Sequence, residues 1–295
     1  MSQTKQKPLR RRLIPWSQCG FTALLFALAL IILLPLVWVF VQSVKPKSDF
    51  FGATAWAMPS RVALENFSNA WVTAHMGQYF FNTILVTVMA MVFVLLLSVP
   101  CSYALSRFHF RFNRIVAVVL MGGIFINVNY IVVPIYTMLS QFGKAMGIKG
   151  LVDNLVVLAL IYAITSVPFA VYLLSGYLTS LQKEYEEAAR IDGCGYFGTL
   201  FRIVMPLMSP SIITVMVFNF LKFWNEYLIG ITFLTDTEHW TISIGLLNIM
   251  EVERVANDYG RLYAGLTIAM LPTILFYCLV QNQLTKGITV GGIKG

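Results

Sequence analysis

Charge is scarce in this chain. Of its 295 residues only 12% are Asp, Glu, Lys or Arg, against about a quarter in an ordinary soluble domain. Cysteine is scarce too: Cys19, Cys101, Cys194 and Cys278 show no CxxC or metal-ligand spacing, so neither a disulfide framework nor a zinc site is expected. No GxxxxGK[ST] phosphate loop is present, and the chain is expected to hydrolyse no nucleotide itself. No Pro/Gly/Ser-rich linker, no internal repeat and no loop long enough for its own core divides it, which points to one domain. What is abundant is apolar surface: 58% of residues are hydrophobic and the mean hydropathy is +0.75.

Long charge-poor runs turn that composition into a membrane protein, because about 20 apolar residues at helical rise cross the hydrocarbon. Six occur, over 21–41, 81–104, 115–139, 155–177, 212–235 and 262–280. The first is too long for a signal h-region and no small-x-small site follows Val41, so it is expected to remain as an anchor. Pro35, Pro100, Pro134, Pro168 and Pro272 sit inside five runs, either as ordinary membrane-helix composition or as hinges. The expected fold class is all-α: six transmembrane helices, with a basic N-terminal segment 1–20, a membrane domain 21–284 and a tail 285–295.

Orientation follows from lysine and arginine, which are retained on the cytoplasmic side. With the N-terminus inside, cytoplasmic segments hold thirteen of the 21 basic residues, among them Arg10 to Arg12, Arg107, Arg111, Arg114, Lys183 and Arg190. Outward segments hold seven, and Lys222 lies within a span. Both termini are therefore expected in the cytoplasm. The net charge of +8 is spread over these rims rather than gathered on one soluble face, which argues against nucleic acid and for anionic headgroups beside Arg10 to Arg12.

The loop 178–210 between the fourth and fifth runs is too patterned for a connector. Thr179 and Gln182 suggest a capping box, and Leu178, Leu181, Tyr185, Ala188 and Ala189 recur at helical spacing, with Lys183, Glu184, Glu187 and Arg190 on the other faces. Gly193 stands where a left-handed stop belongs. A second short helix is expected from Tyr196 to Met205, ended by Pro206 and Pro210. Glu184, Glu186 and Glu187 would be repelled by anionic lipid, so a protein partner fits this elbow better than the membrane surface.

Here the sequence resembles a known family. Glu187-Ala188-Ala189, Gly193, Ile203 and Met205-Pro206 match the E-A-A-x3-G-x9-I-x-L-P signature of permease subunits of binding-protein-dependent ABC importers, with methionine in place of leucine. Ala189 to Gly193, Trp224-Asn225-Glu226-Tyr227 and the tail Lys286 to Gly295 resemble the carbohydrate-uptake branch and its maltose-permease-G-like subunits. The similarity runs from the first span onward and is weakest over 42–78. It implies a second permease, forming a heterodimer, two cytoplasmic ATPase subunits that bind ATP and Mg, and an extracytoplasmic solute-binding protein. It also implies that Glu187, Ala188, Ala189, Asp192, Gly193, Ile203 and Pro206 form the ATPase-coupling elbow, with Glu187 meeting basic residues in an ATPase cleft. The segment Gly193 to Gly198 spells GxGxxG, but it follows a helix and lacks the βαβ context of a dinucleotide site.

Polar residues inside the membrane concentrate in the fifth run. Asn219, Lys222 and Glu226 fall on one helical side with Asn225 beside them. Lys222 and Glu226 either pair with each other and hold helices together, or the group lines a sugar pathway. Asn127 and Asn129, with Tyr130, are weaker candidates for the same role. The outward segment 236–261, carrying acids and Arg254, is expected to meet the solute-binding protein. Rival classes are an ion-coupled secondary transporter, which predicts inverted repeats and matched intramembrane acids, and a scaffold or sensor without conduction. Within the ABC class, a permease for amino acids, peptides or inorganic anions shares the elbow motif.

Overall fold

A computed structural model of the chain describes residues 16–51, 56–148 and 150–292. The N-terminal basic cluster therefore lies outside the described residues. Thirteen α-helices follow in order among those described: α1 Trp16–Ser43, α2 Glu65–Ser68, α3 Met76–Arg107, α4 Asn113–Ile124, α5 Val128–Met146, α6 Leu155–Ser180, α7 Glu184–Ile191, α8 Tyr196–Thr199, α9 Met205–Leu207, α10 Ser209–Trp224, α11 Leu228–Phe233, α12 Ile242–Ala256 and α13 Tyr259–Gly292. No strand occurs among the described residues.

Four helical stretches are individually long and apolar enough to cross a membrane: Gly20–Ser43, Met76–Arg107, Leu155–Ser180 and Tyr259–Gln281. The other two runs differ from the straight spans expected. The run 115–139 is split into α4 and α5, whose axes turn by 105°. Asn127 causes the restart: its side chain accepts the Asn129 amide at 3.0 Å as the N-cap of α5, so this weaker pathway candidate is a local stop and start signal. In the run 212–235, α10 ends at Trp224 and α11 begins at Leu228. At 16 residues α10 reaches only about 24 Å, short of the hydrocarbon thickness.

The centre of the bundle is the α3–α6 pair. Small side chains let the two backbones approach: Ala90, Ser98 and Ser102 on α3 and Ala159, Ala163, Ser166 and Ala170 on α6 are all buried. Leu174, Met208, Val215, Phe223 and Phe233 join them in one apolar core. A second core gathers Met76, Tyr79, Trp224, Ile242, Ile249 and Ile268 from the ends of α3 and α10 with α12 and α13. In contrast α1 exposes its apolar side chains from Phe21 to Leu34 and touches the bundle through its last turns, with Trp38 edge-on to Tyr263 at 5.3 Å.

The segment 236–261, expected as an outward loop, carries the 15-residue helix α12 folded onto α3. Thr83 Oγ1 accepts the Ile242 amide at 2.8 Å, satisfying a donor at the start of α12. Gly245 makes the close approach possible, since a Cβ there would overlap the Tyr79 ring. Asp153 Oδ1 accepts the amides of Thr235 and Asp236 at 3.0 Å each, tying the α5–α6 connection to this end of the molecule.

Candidate functional site

The elbow forms between α6 and α10, but its first arm starts later than the sequence suggested. α6 runs on to Ser180, and Thr179 donates to the Gly176 carbonyl at 2.7 Å instead of capping a new helix. The Thr179–Gln182 capping box is therefore not made. α7 begins at Glu184 after Lys183, which has helical dihedrals and no side-chain cap. Glu184, Glu186 and Glu187 occupy the first turn, where carboxylates oppose the positive end of the helix dipole.

The stop falls where expected. Gly193 has φ +81°, its amide bonds to the Arg190 carbonyl at 3.0 Å, and the Cys194 amide reaches back to Ala189 at 2.9 Å. That pair of bonds is a complete Schellman motif, and it requires the left-handed dihedral that glycine adopts without a Cβ penalty. The second arm differs from a single helix ended by prolines. α8 passes through a wide π turn over Leu200–Val204 into α9, and α10 then leaves at 75°. Pro206 and Pro210 sit in the first turns of α9 and α10, so they begin helical segments there, as a residue without an N–H can.

The elbow has an inner and an outer face. Ala189, Thr199, Leu200 and Val204 are buried, and Ile203 is half-buried. Glu187, Ala188, Asp192, Gly193 and Pro206 are exposed, and no side-chain bond of Glu187 occurs among the described residues. Ile191 and Phe197 protrude at the turn, 87% and 68% exposed, an apolar presentation in which the Phe197 ring is backed by Tyr196 and Phe201. A concavity of about 550 Å³ lined by Asp192, Gly193, Gly195, Phe197, Phe201 and Arg202 opens on that face.

Glu186, which the sequence grouped with its acidic neighbours as partner-facing, points inward. Its Oε1 accepts from Arg107 Nε at 2.6 Å and its Oε2 from the Tyr103 hydroxyl at 2.9 Å. The two charged side chains are 5% and 7% exposed, so removing one partner would cost about 3–5 kcal/mol by leaving the other buried and unpaired. The signal was absent from the local pattern, because Arg107 and Tyr103 lie some eighty residues earlier.

The polar residues of the fifth run separate in the same manner. Asn219 is buried and donates to the Val215 carbonyl one turn back at 2.9 Å. The pair considered between Lys222 and Glu226 is not formed: Lys222 Nζ donates to Ser166 Oγ at 2.9 Å, while Glu226 accepts from the Tyr162 hydroxyl at 2.8 Å. Because α10 has already ended, Glu226 instead caps α11, accepting the Ile229 and Gly230 amides at 2.8 and 3.1 Å. Asn225 is exposed in the break, and its side chain donates to the Leu221 carbonyl at 2.8 Å. Exposed Lys222 and Asn225 thus remain presented to whatever lies beside α10.

The described residues thus form a multi-helix membrane bundle with broken spans and a helix-glycine-helix elbow. The family described as "Binding-protein-dependent transport system inner membrane component" matches residues 70–290, and the chain belongs to it. It is accordingly a multi-pass inner-membrane component of ABC-type import systems, a family that works with ATPase and substrate-binding partners. The chain is 31% identical to the diacetylchitobiose uptake system permease protein NgcG of Streptomyces coelicolor, over 92% of this chain and 87% of that one. It is 33% identical to the probable ABC transporter permease protein YurM of Bacillus subtilis, over 99% and 93%. The melibiose/raffinose/stachyose import permease protein MelC of Bacillus subtilis is 28% identical over 89% and 91%. The fold of the present chain is similar to that of a chain from a bacterial ABC transporter involved in the import of the acidic polysaccharide alginate, with a TM-score of 0.77 at 22% identity, covering 94% of this chain and 99% of that one.

Proposed function

We propose that this chain is one of two different permease subunits that together pass a sugar or oligosaccharide from an extracytoplasmic binding protein into the cytoplasm. ATP, with Mg, is bound and hydrolysed by two separate ATPase subunits and not by this chain. Both termini and the elbow lie on the cytoplasmic side in this reading, and the α11–α12 end faces outward toward the binding protein. The printed substrates of the relatives, diacetylchitobiose and melibiose, raffinose and stachyose, support a saccharide as cargo.

One observation carries the coupling role. The elbow turns on a left-handed glycine and buries Ala189, Leu200 and Val204, yet leaves Glu187, Ile191 and Phe197 exposed together. A charged residue ringed by apolar ones suits docking into a cleft with basic lining. Glu187, Ala188, Ala189, Asp192, Gly193, Ile203 and Pro206 make up this coupling surface and its support. Lys222 and Asn225 face the solute path, whereas Asn219 is bonded within α10 and Glu226 shapes the helix break.

Rigid-body displacement of the elbow would rock the bundle between inward- and outward-open states. The test is uptake of labelled oligosaccharides into vesicles that hold the four-subunit complex and its binding protein. Uptake should require ATP and vanish when the phosphate-loop lysine of the ATPase is replaced. Flux that persists without the ATPase, driven by an ion gradient, overturns the reading in favour of a secondary transporter.

A further inference from the structure

Both arms of the elbow are fastened by side chains to α3, a helix with which they share no covalent junction. On the first arm, Glu186 gives both carboxylate oxygens to α3, one to Arg107 and one to Tyr103. Arg107 spends another N–H on the Leu181 carbonyl at 3.0 Å, so one guanidinium joins the end of α3, the end of α6 and the first turn of α7. On the second arm, the Tyr196 ring lies 5.6 Å from Tyr103 and 5.4 Å from Phe108. A planar guanidinium in charge-assisted bonds holds one orientation more tightly than apolar contact alone.

The far end of the same helix is fastened as well. Gln78 and Asn82 donate to the Glu238 carbonyl at 2.9 and 2.8 Å, Asn82 also to the Trp240 carbonyl at 3.0 Å, and Thr83 holds the start of α12. α3 has 32 residues and spans about 48 Å, so it is bonded to the elbow at one end and to the α11–α12 connection at the other.

We propose that the Arg107–Glu186–Tyr103 clamp makes α3 the rod that receives displacement of the elbow and delivers it to the opposite rim. Glu186 is the positioning residue of that coupling, distinct from Glu187, which meets the partner. The inference rests on the ABC-importer reading above, since it presupposes that an ATPase moves the elbow.

The experiment uses the reconstituted four-subunit complex and reads two quantities: recovery of ATPase with the permease, and solute transported per ATP hydrolysed. With Glu186→Gln, ATPase recovery should stay within about twofold of the parent while solute per ATP falls at least tenfold. Arg107→Glu combined with Glu186→Arg should recover to within about threefold of the parent ratio. Tyr103→Phe, which keeps the ion pair and removes one hydrogen bond, should assemble fully and lower the ratio about threefold. A parent-like ratio in Glu186→Gln or in Tyr103→Phe overturns the proposal, as does loss of uptake in step with loss of assembled complex in both. If the parent complex itself transports without ATP, the importer reading fails, which is a different outcome from any of these.

Discussion

The elbow and the α10–α11 break are both places where the chain interrupts its helices, and in each a pair of neighbouring charges is divided. At the elbow, Glu186 is consumed inside the chain by Arg107 and Tyr103, and Glu187 is left exposed. At the break, Glu226 is bonded to Tyr162 and two backbone amides, and Lys222 donates to the Ser166 hydroxyl instead of to that carboxylate. The two regions solve different problems. The elbow ends a helix with a glycine and needs no side chain to do so, so its acids are available for tying and docking. The break ends α10 without a left-handed residue and opens α11 with unpaired amides, so an acid is required locally. At the break the acid therefore serves the local helix start, whereas at the elbow Glu186 reaches a distant helix and leaves its neighbour Glu187 exposed.

Gly193 offers the largest effect by which to break that comparison. A β-branched residue in the left-handed region costs about 1–2 kcal/mol or more, so Gly193→Val should reduce vesicle uptake about tenfold or more, while Gly193→Asn, which tolerates that region, stays near the parent. Open space surrounds the position, so the difference between the two variants isolates the dihedral from any clash. Glu187→Lys comes next: with no side-chain bond among the described residues to lose, it should leave the amount of inserted permease unchanged and lower copurifying ATPase about tenfold, the scale of about 1.4 kcal/mol in docking.

The break is sharpened by a stability measurement. Glu226→Ala strands the Tyr162 hydroxyl and the Ile229 and Gly230 amides, so it should destabilise purified protein by about 1–3 kcal/mol, read as a lower unfolding temperature in detergent. Lys222→Met should cost less than about 1 kcal/mol by the same measurement and show its effect in uptake instead. Arg61→Ala gives the baseline: this pair with Glu65 is exposed at positions four apart, and its loss should shift stability by less than about 0.5 kcal/mol.

Much of this is legible in the sequence alone. Four runs survive as continuous helices because apolar length alone demands internal backbone bonding in lipid. Gly193 was legible because the left-handed stop is a local property of one residue type following a helical pattern. The misreadings share a cause. Thr179 looked like a cap, Pro206 and Pro210 like terminators, and Lys222 and Glu226 like a pair, because each inference assumed where a helix begins or ends. Helix ends shift by a turn at small energetic cost, and a one-turn shift reassigns every such role. The helix α12 was missed because at 15 residues it is too short for a span, and its second half carries Glu251, Glu253 and Arg254.

Sequence by itself determined the membrane class and the glycine on which the elbow turns, since these depend on transfer free energy and on the dihedral freedom of single residues. Tertiary structure alone decided which of two adjacent glutamates is buried and which helix it binds. That choice depends on Arg107 and Tyr103 arriving from some eighty residues away, and a contact at such separation is set by how the helices pack rather than by any pattern along the chain.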